Sequence, residues 1–277
     1  RRVKEAWDYR RVLAQHDIPI YSGHVVTAAR GDGQVEEVTF ARADANWQVL
    51  PDTQRTVAVD TLCIHFGFEA LTEIARMAEC ETAWEGDRGG WHVVHDDGMR
   101  ASQPGIYVAG QLAGIGGADL AESTGALAGL SAAHDLGLLS ERSYTAQAAS
   151  LRQDIAQRRD IARVLNTIYV PGAALPDVVT PETIICRCEE IQASAIDTAI
   201  AEGALSINDI KRRTRCGMGL CQGRICSPIV RAYVARKAGA SPTDVGLITA
   251  RPPLRPIPLA ALADLPDEHV GEAVSAV

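Results

Sequence analysis

GIYVAGQLAGIGGADLAESTGALAGLSAAHDLG, residues 105–137, predicts a strand, a glycine turn and a helix in that order. The short apolar run IYVAG is typical of a β-strand, and the glycines that follow interrupt it. The remaining residues predict a long helix that ends at Gly137. The small side chains along this helix would let it lie close against a sheet. This order of elements predicts an α/β fold.

The residues before this stretch extend the same prediction. Residues 2–16, RVKEAWDYRRVLAQH, have helical spacing, and extended segments follow on both sides of a GDG turn at residues 31–33. An apolar strand is expected within residues 56–70, TVAVDTLCIHFGFEA, and a helix over residues 71–80, LTEIARMAEC. Helices and strands thus alternate along the first half of the chain.

The bulk composition is that of an ordinary globular protein. The 277 residues include 47% hydrophobic and 22% charged residues, enough for two small domains. The net charge of −8 provides no basic field for nucleic acid, and no apolar run approaches the roughly 18 residues of a membrane span. The start is neither a Met nor a signal peptide, so we expect a fragment of a cytoplasmic protein, with peripheral attachment at the inner membrane as an alternative.

Five of the seven cysteines lie in two short stretches near one end, IICRCEEI and TRCGMGLCQGRIC. Their odd total and their clustering favour metal ligation over a disulfide framework. The pattern is Cys186-x-Cys188, then Cys216, Cys221 and Cys226 at five-residue steps. Four thiolates bind either zinc or a [2Fe-2S] cluster. The spacing alone leaves open both the metal and the choice of the second cysteine pair.

The residues around these cysteines predict a small all-α module. A helix is expected in IQASAIDTAIAEGA, a second after Ser206 and a third with Ser227 as its N-cap and Pro228 at its first position. Cys226 then lies at a helix N-terminus, which favours a thiolate. VPGAALPDVVTP, rich in Pro and Gly, is interpreted as a linker before the module. The Pro-rich end is interpreted as an extended strap.

The cysteine stretches resemble the bacterioferritin-associated-ferredoxin-like [2Fe-2S] module that is fused to flavin subunits of bacterial amine and amino-acid dehydrogenases. The second cysteine pair of that family falls in GMGxCQGRxC, which matches GMGLCQGRIC here. The resemblance implies Cys186, Cys188, Cys221 and Cys226 as the cluster ligands. Cys216 would then be a spare cysteine.

Residues 105–137 resemble the second FAD motif of the pyridine nucleotide–disulfide oxidoreductase superfamily. The resemblance implies FAD contacts at five positions: Gly110, Gln111, Gly116, Gly117 and Ala118. The family has an acidic residue where Gln111 stands, and its first GxGxxG motif has no counterpart in this chain. The FAD site is therefore expected to be incomplete here.

The resemblance divides the chain into five parts. These are the end of an inserted nicotinamide-type α/β domain (1–80), the C-terminal part of an FAD-binding domain (81–140), a helix and linker (141–175), the [2Fe-2S] module (176–240) and the Pro-rich tail (241–277).

The implied function is that of the electron-transferring large subunit of an opine oxidase, hydroxyproline dehydrogenase or hydrogen cyanide synthase-like complex. Its expected partners are a small ferredoxin-like subunit and an FAD-containing amino-acid-oxidase-like catalytic subunit. No catalytic acid or base is recognisable, and Cys63 and Cys80 are interpreted as small buried residues. Two alternatives are a stand-alone NAD(P)H-dependent FAD/[2Fe-2S] reductase and a zinc-stabilised interaction module.

Overall fold

The computed structural model describes residues 2–263, which form two compact units. The first unit consists of residues 2–65 with 171–178, and the second of residues 66–170 with 179–263. The division after residue 65 differs from the expected boundary at residue 80. Residues 171–178 of the expected linker belong to the first unit, because the amide of Ala174 donates to the carbonyl of Asn46 at 3.0 Å.

Within the described residues, the first unit contains one α-helix, a short 3₁₀ helix (Leu175–Val178) and one antiparallel sheet of strand order β1-β2-β3. Its elements are α1 (Arg2–Gln15), β1 (His24–Arg30), β2 (Glu37–Arg42) and β3 (Arg55–Ala58). The central strand β2 supplies most of the buried residues of the sheet, including Val38, Phe40 and Ala41. The predicted first helix and the extended segments around the GDG turn are confirmed.

The strand expected within residues 56–70 ends at Ala58. All four residues of β3 are exposed. Within residues 2–263 β3 pairs only with β2, so no further strand holds the chain beyond this point. Cys63 follows in an irregular segment and is exposed, so the prediction that it is buried was wrong. Cys80 is buried as predicted.

The second unit begins with short elements and continues with two long helices. They are α2 (Glu73–Met77), β4 (Thr82–Glu85), β5 (Gly90–Val93), α3 (Ala118–Asp135) and α4 (Glu141–Ile168). Strands β4 and β5 form an antiparallel hairpin. The long helix predicted after the glycine turn is confirmed, and Gly137 (φ 72°) follows its last residues as predicted.

The predicted strand IYVAG is not a regular strand. Only Tyr107 of this segment pairs, in an isolated bridge with Arg100, while Val108 donates to the carbonyl of Met99. A β-strand requires a continuous ladder to a neighbour. Within residues 2–263 the only bridge partner of this segment lies in the short 95–101 turn, which is not itself a strand. The segment nevertheless leads directly into the glycine turn that precedes α3.

Helices α3 and α4 pack against each other through small and apolar side chains. Leu127 and Ala128 of α3 share a buried cluster with Ala148, Ile155 and Ala162 of α4. Alanine at these positions lets two helices approach closely. No helix within residues 2–263 combines the length and apolar character that crossing a membrane requires.

The cysteine-bearing part of the second unit is mainly helical but is not all-α. A two-stranded antiparallel sheet of β6 and β7 precedes the helices, because a tight turn at residues 187–190 folds the chain back on itself. The elements are β6 (Ile184–Cys186), β7 (Ile191–Gln192), α5 (Ala193–Ala201), α6 (Ile207–Thr214), α7 (Ser227–Ala238) and α8 (Pro242–Val245). The sheet corrects the predicted all-α class.

A single core lies beneath these helices. Ile196, Ile210 and Val234, one from each of α5, α6 and α7, are fully buried in it together with Cys186, Cys216 and Cys226. The expected Pro-rich strap lacks regular structure from residue 246 to 258, but a short helix, α9 (Leu259–Ala263), follows and corrects that prediction. Residues 264–277 of the predicted tail lie outside the described residues.

Candidate metal centre

Three local structures position four of the five clustered cysteines, and the fifth, Cys221, lies in the loop between α6 and α7. Cys186 is the last residue of β6, and Cys188 lies in the turn that joins β6 to β7. Cys216 follows the end of α6, which Ser206 caps at its start by accepting from the amide of Asp209, as predicted. Cys226 is the N-cap of α7, one residue before the predicted cap Ser227. The cysteine at the helix N-terminus is therefore confirmed.

The first group of sulfurs is an inner trio made of Cys186, Cys216 and Cys226. Their Sγ atoms all lie within 4.8 Å of one another, and those of Cys216 and Cys226 are 4.0 Å apart. All three residues are buried. The hydrogen bond with Cys216, together with burial, raises the pKa of Cys226 far above its usual range. Three close, buried thiols without a cation favour protonated sulfur, and a bound metal would reverse this preference.

The second group is an outer pair made of Cys188 and Cys221. The two thiols lie close enough for each to shift the pKa of the other, with Cys188 exposed and Cys221 half-buried. Burial by itself raises the pKa of Cys221, but hydrogen bonds from the backbone amides of Ile225 and Gly223, among others, outweigh it and lower that pKa. Backbone amides that point at a sulfur stabilise a thiolate. Cys221 thus has the polar surroundings that a metal ligand requires.

Glycines line this site where a side chain would fill it. A Cβ on Gly219 would lie 2.2 Å from the Cβ of Cys188, and a Cβ on Gly217 would lie 4.0 Å from the Sγ of Cys226. Gly217 and Gly223 also have φ values of 85° and 84°, which favour glycine. Sulfur-only donors suit zinc or an iron–sulfur cluster, so the residues fit the implied metal group.

The four predicted ligands are divided between the two groups. Cys186 and Cys226 belong to the inner trio, whereas Cys188 and Cys221 form the outer pair. Cys216, interpreted as a spare cysteine, completes the inner trio. The sequence signal for this role was the regular five-residue spacing of the three cysteines, which begins at Cys216. The choice of four ligands among five cysteines stays a prediction.

The predicted flavin contacts lie along one loop in the same unit. Residues 110–113 form a short 3₁₀ helix that includes the exposed Gln111. Gly117 (φ 81°) is the N-cap of α3, and Ala118 is its first residue. A Cβ on Gly116 would lie 2.2 Å from the Cδ2 of Leu120. The loop therefore runs close against the first turn of α3, whose free amides suit a polar or anionic group.

Side chains from both long helices fix this loop. The amide of Gly110 donates to the hydroxyl of Thr124 in α3 at 3.0 Å. The side-chain amide of Asn166 in α4 donates to the carbonyl of Ile115 at 2.9 Å. The sequence pattern identified the glycines of the loop, but it did not identify Thr124 and Asn166. Each of these residues contacts the loop from a position far along the chain, so the residues next to it in the sequence do not indicate the contact.

Two family models match this chain. The model for pyridine nucleotide-disulphide oxidoreductases matches residues 5–141, and the model for the sarcosine oxidase A3 domain matches residues 180–265.

Curated relatives extend over most of the chain. The A subunit of opine oxidase from Rhizobium meliloti is 37% identical over 261 residues, which are 93% of this chain and 47% of the relative. The corresponding opine oxidase protein from Agrobacterium tumefaciens (strain Ach5) is 39% identical, over 81% of this chain and 44% of the relative. Hydrogen cyanide synthase subunit HcnB from Pseudomonas aeruginosa is 32% identical, over 92% of this chain and 54% of the relative. The chain spans about half the length of these relatives.

A solved structure of another protein has a similar fold. The crystal structure of L-proline dehydrogenase from P. horikoshii aligns with a TM-score of 0.63 at 23% identity, over 86% of this chain and 44% of that chain. This similarity supports the α/β fold of a flavoprotein oxidoreductase. Residues 5–141 are thus similar to the pyridine nucleotide-disulphide oxidoreductases, and most of the chain is similar to the opine oxidase A subunit and to hydrogen cyanide synthase subunit HcnB.

Proposed function

We propose that this chain is part of an electron-transferring flavin and iron–sulfur subunit in a bacterial amine or amino-acid dehydrogenase complex. The observation that carries the proposal is the convergence of five cysteine sulfurs, with an inner trio within 4.8 Å and an outer pair beside it. Relatives that are oxidase and synthase subunits support the class of complex. Opine-, hydroxyproline- and glycine-type substrates fit this class.

The cluster ligands in this proposal are Cys186, Cys188, Cys221 and Cys226. A [2Fe-2S] cluster accepts and releases one electron at a time, whereas a flavin accepts a two-electron hydride. The residues of this chain hold the thiolates in place, bury the inner sulfurs and leave Cys188 at the surface. A cluster held by these residues would be shielded on the side of Cys186 and Cys226. On the side of Cys188 it would lie near the surface, where it could exchange electrons with a second redox group.

The flavin part of the proposal rests on the loop between Gly110 and Ala118. Gln111 would hydrogen-bond a ribityl hydroxyl of the flavin in place of an acidic residue, and the first turn of α3 offers free amides. A separate FAD-containing subunit, resembling an amino-acid oxidase, oxidises the C–N bond of the substrate in this proposal. A small ferredoxin-like subunit is a second proposed partner.

The visible spectrum tests the metal assignment. We expect iron-replete, anaerobically purified protein to be brown and to contain two iron atoms per chain, as a [2Fe-2S] centre requires. Cys221→Ser is expected to lose the colour, whereas Cys216→Ser is expected to keep it. Colourless wild-type protein with stoichiometric zinc would replace electron transfer with a structural zinc site. The opposite behaviour of the two variants would replace Cys221 with Cys216 in the ligand set.

A further inference from the structure

Residues 247–254 follow α8 as an irregular segment that crosses the cysteine site, and they are called the cover segment below. The apolar contact of this segment is Ile248. Its Cδ1 lies 3.0 Å from the position of a Cβ on Gly217 and 2.4 Å from that of a Cβ on Gly223. Ile248 therefore rests against the two glycines that approach the inner trio, and it is packed against the buried core there.

Side chains rather than a strand or helix hold the cover segment in place. Asn208 of α6 bonds it twice, donating to the carbonyl of Leu247 at 3.1 Å and accepting from the amide of Thr249 at 3.0 Å. Arg76 donates to the carbonyl of Ile248 at 2.8 Å. Each contact fixes a backbone group that has no partner in regular structure.

Arg224 makes the contact that joins the cover segment to the ligand loop. Its guanidinium donates to the carbonyl of Leu254 at 2.7 Å and to the carbonyl of Cys221 at 3.3 Å. The same group lies 3.2 Å from the carboxylate of Glu73, and both side chains are about four-fifths buried. One side chain thus ties together α2, the cover segment and the loop that carries two predicted ligands.

We propose that Arg224 is a positioning residue that latches the cover segment over the cysteine site, so that Ile248 excludes water and chelators from the inner sulfurs. The inference rests on the proposed iron–sulfur cluster. It assigns roles to side chains that do not contact the metal themselves. The guanidinium also places a positive charge beside the ligand loop, with Glu73 as its counter-charge.

The rate of iron loss tests the cover. Ile248→Ala removes the apolar contact and leaves the hydrogen bonds in place, whereas Arg224→Gln removes the latch. Because local opening governs access to a buried site, we expect each variant to lose iron to an anaerobic chelator about tenfold faster than wild type. Arg255→Gln, an exposed residue just beyond the segment, is the matched control and is expected to keep the wild-type rate.

The reduction potential separates positioning from general loosening. A positive charge stabilises the reduced cluster, so Arg224→Gln is expected to lower the potential and Glu73→Gln to raise it. A tenfold change in the reduction equilibrium corresponds to about 59 mV for one electron. Shifts in the same direction in both variants would overturn the charge role, and unchanged iron loss in Ile248→Ala would overturn the cover. Wild-type protein without a cluster would instead remove the proposed function.

Discussion

Gly219→Ala is the sharpest test of the ligand set because it changes one methyl group next to one cysteine. A Cβ at this position would lie 2.2 Å from the Cβ of Cys188, and ordinary van der Waals contact begins at 3.4 Å. Cys188 and Gly219 must therefore separate by about 1.2 Å more. The backbone of Gly219 is outside the left-handed region, so the methyl group acts through its volume rather than through backbone strain.

The size of this displacement decides the expected result. Metal sites tolerate changes in ligand distance of only about 0.2 Å, whereas overpacking a close contact costs roughly 1–3 kcal/mol. The protein is expected to fold, but Cys188 is expected to leave the cluster. Because one of four thiolates is then missing, the iron content of Gly219→Ala should fall below about half of the wild-type value.

Iron and inorganic sulfide per chain, together with the visible spectrum, measure this effect. Gly125→Ala is the matched control, because nothing lies within 4 Å of a Cβ at Gly125 in the middle of α3. This control should keep its cluster and gain about 1 kcal/mol of stability from the higher helix propensity of alanine. Wild-type iron content and spectrum in Gly219→Ala would refute the reasoning. The fourth ligand would then be Cys216 rather than Cys188.

Three further predictions concern the second unit. Leu127→Ala in the α3–α4 core, where Leu127 is 1% exposed, should cost about 2–5 kcal/mol and lower the urea midpoint of unfolding. Arg231→Met should cost about 3–5 kcal/mol in the same assay, because it leaves the largely buried Glu69 without its partner; an unchanged midpoint would show that the pair contributes nothing. The hydrogen bonds from Arg100 hold the pKa of Asp135 far below its usual range, so their stabilisation is complete above the ordinary aspartate pKa of about 3.9 and is lost as the pH falls below it. Asp135→Asn should remove this part of the acid dependence, which thermal unfolding between pH 2 and about 6 measures.

Local signals predicted the helices and their ends well. The cap at Ser206, the end of α3 near Gly137 and the helix that begins after Cys226 all follow from hydrogen bonds within a few residues of the chain. The IYVAG strand was predicted by the same kind of reasoning and does not form. Its residues have strand propensity, but a strand also needs a partner, and propensity contains no information about the partner.

The ligand set was harder to predict because it depends on the direction in which each backbone turn points a thiol. Three residues other than glycine in the cysteine stretches have positive φ: Glu190 at 52°, Arg215 at 65° and Gln222 at 52°. This conformation costs such residues roughly 1–2 kcal/mol each, and nothing in the side chains of Glu, Arg or Gln indicates it. Arg215 immediately precedes Cys216, and Gln222 immediately follows Cys221. Each turn sets the direction of the chain next to one of these cysteines. Unfavourable backbone persists where the surroundings fix it, and such positions concentrate at functional sites. Residues other than glycine also have positive φ elsewhere in the described chain, at Asp17, Trp47, Asp52, Glu79 and Met99, so these turns explain why the ligand geometry was missed but do not by themselves mark a site.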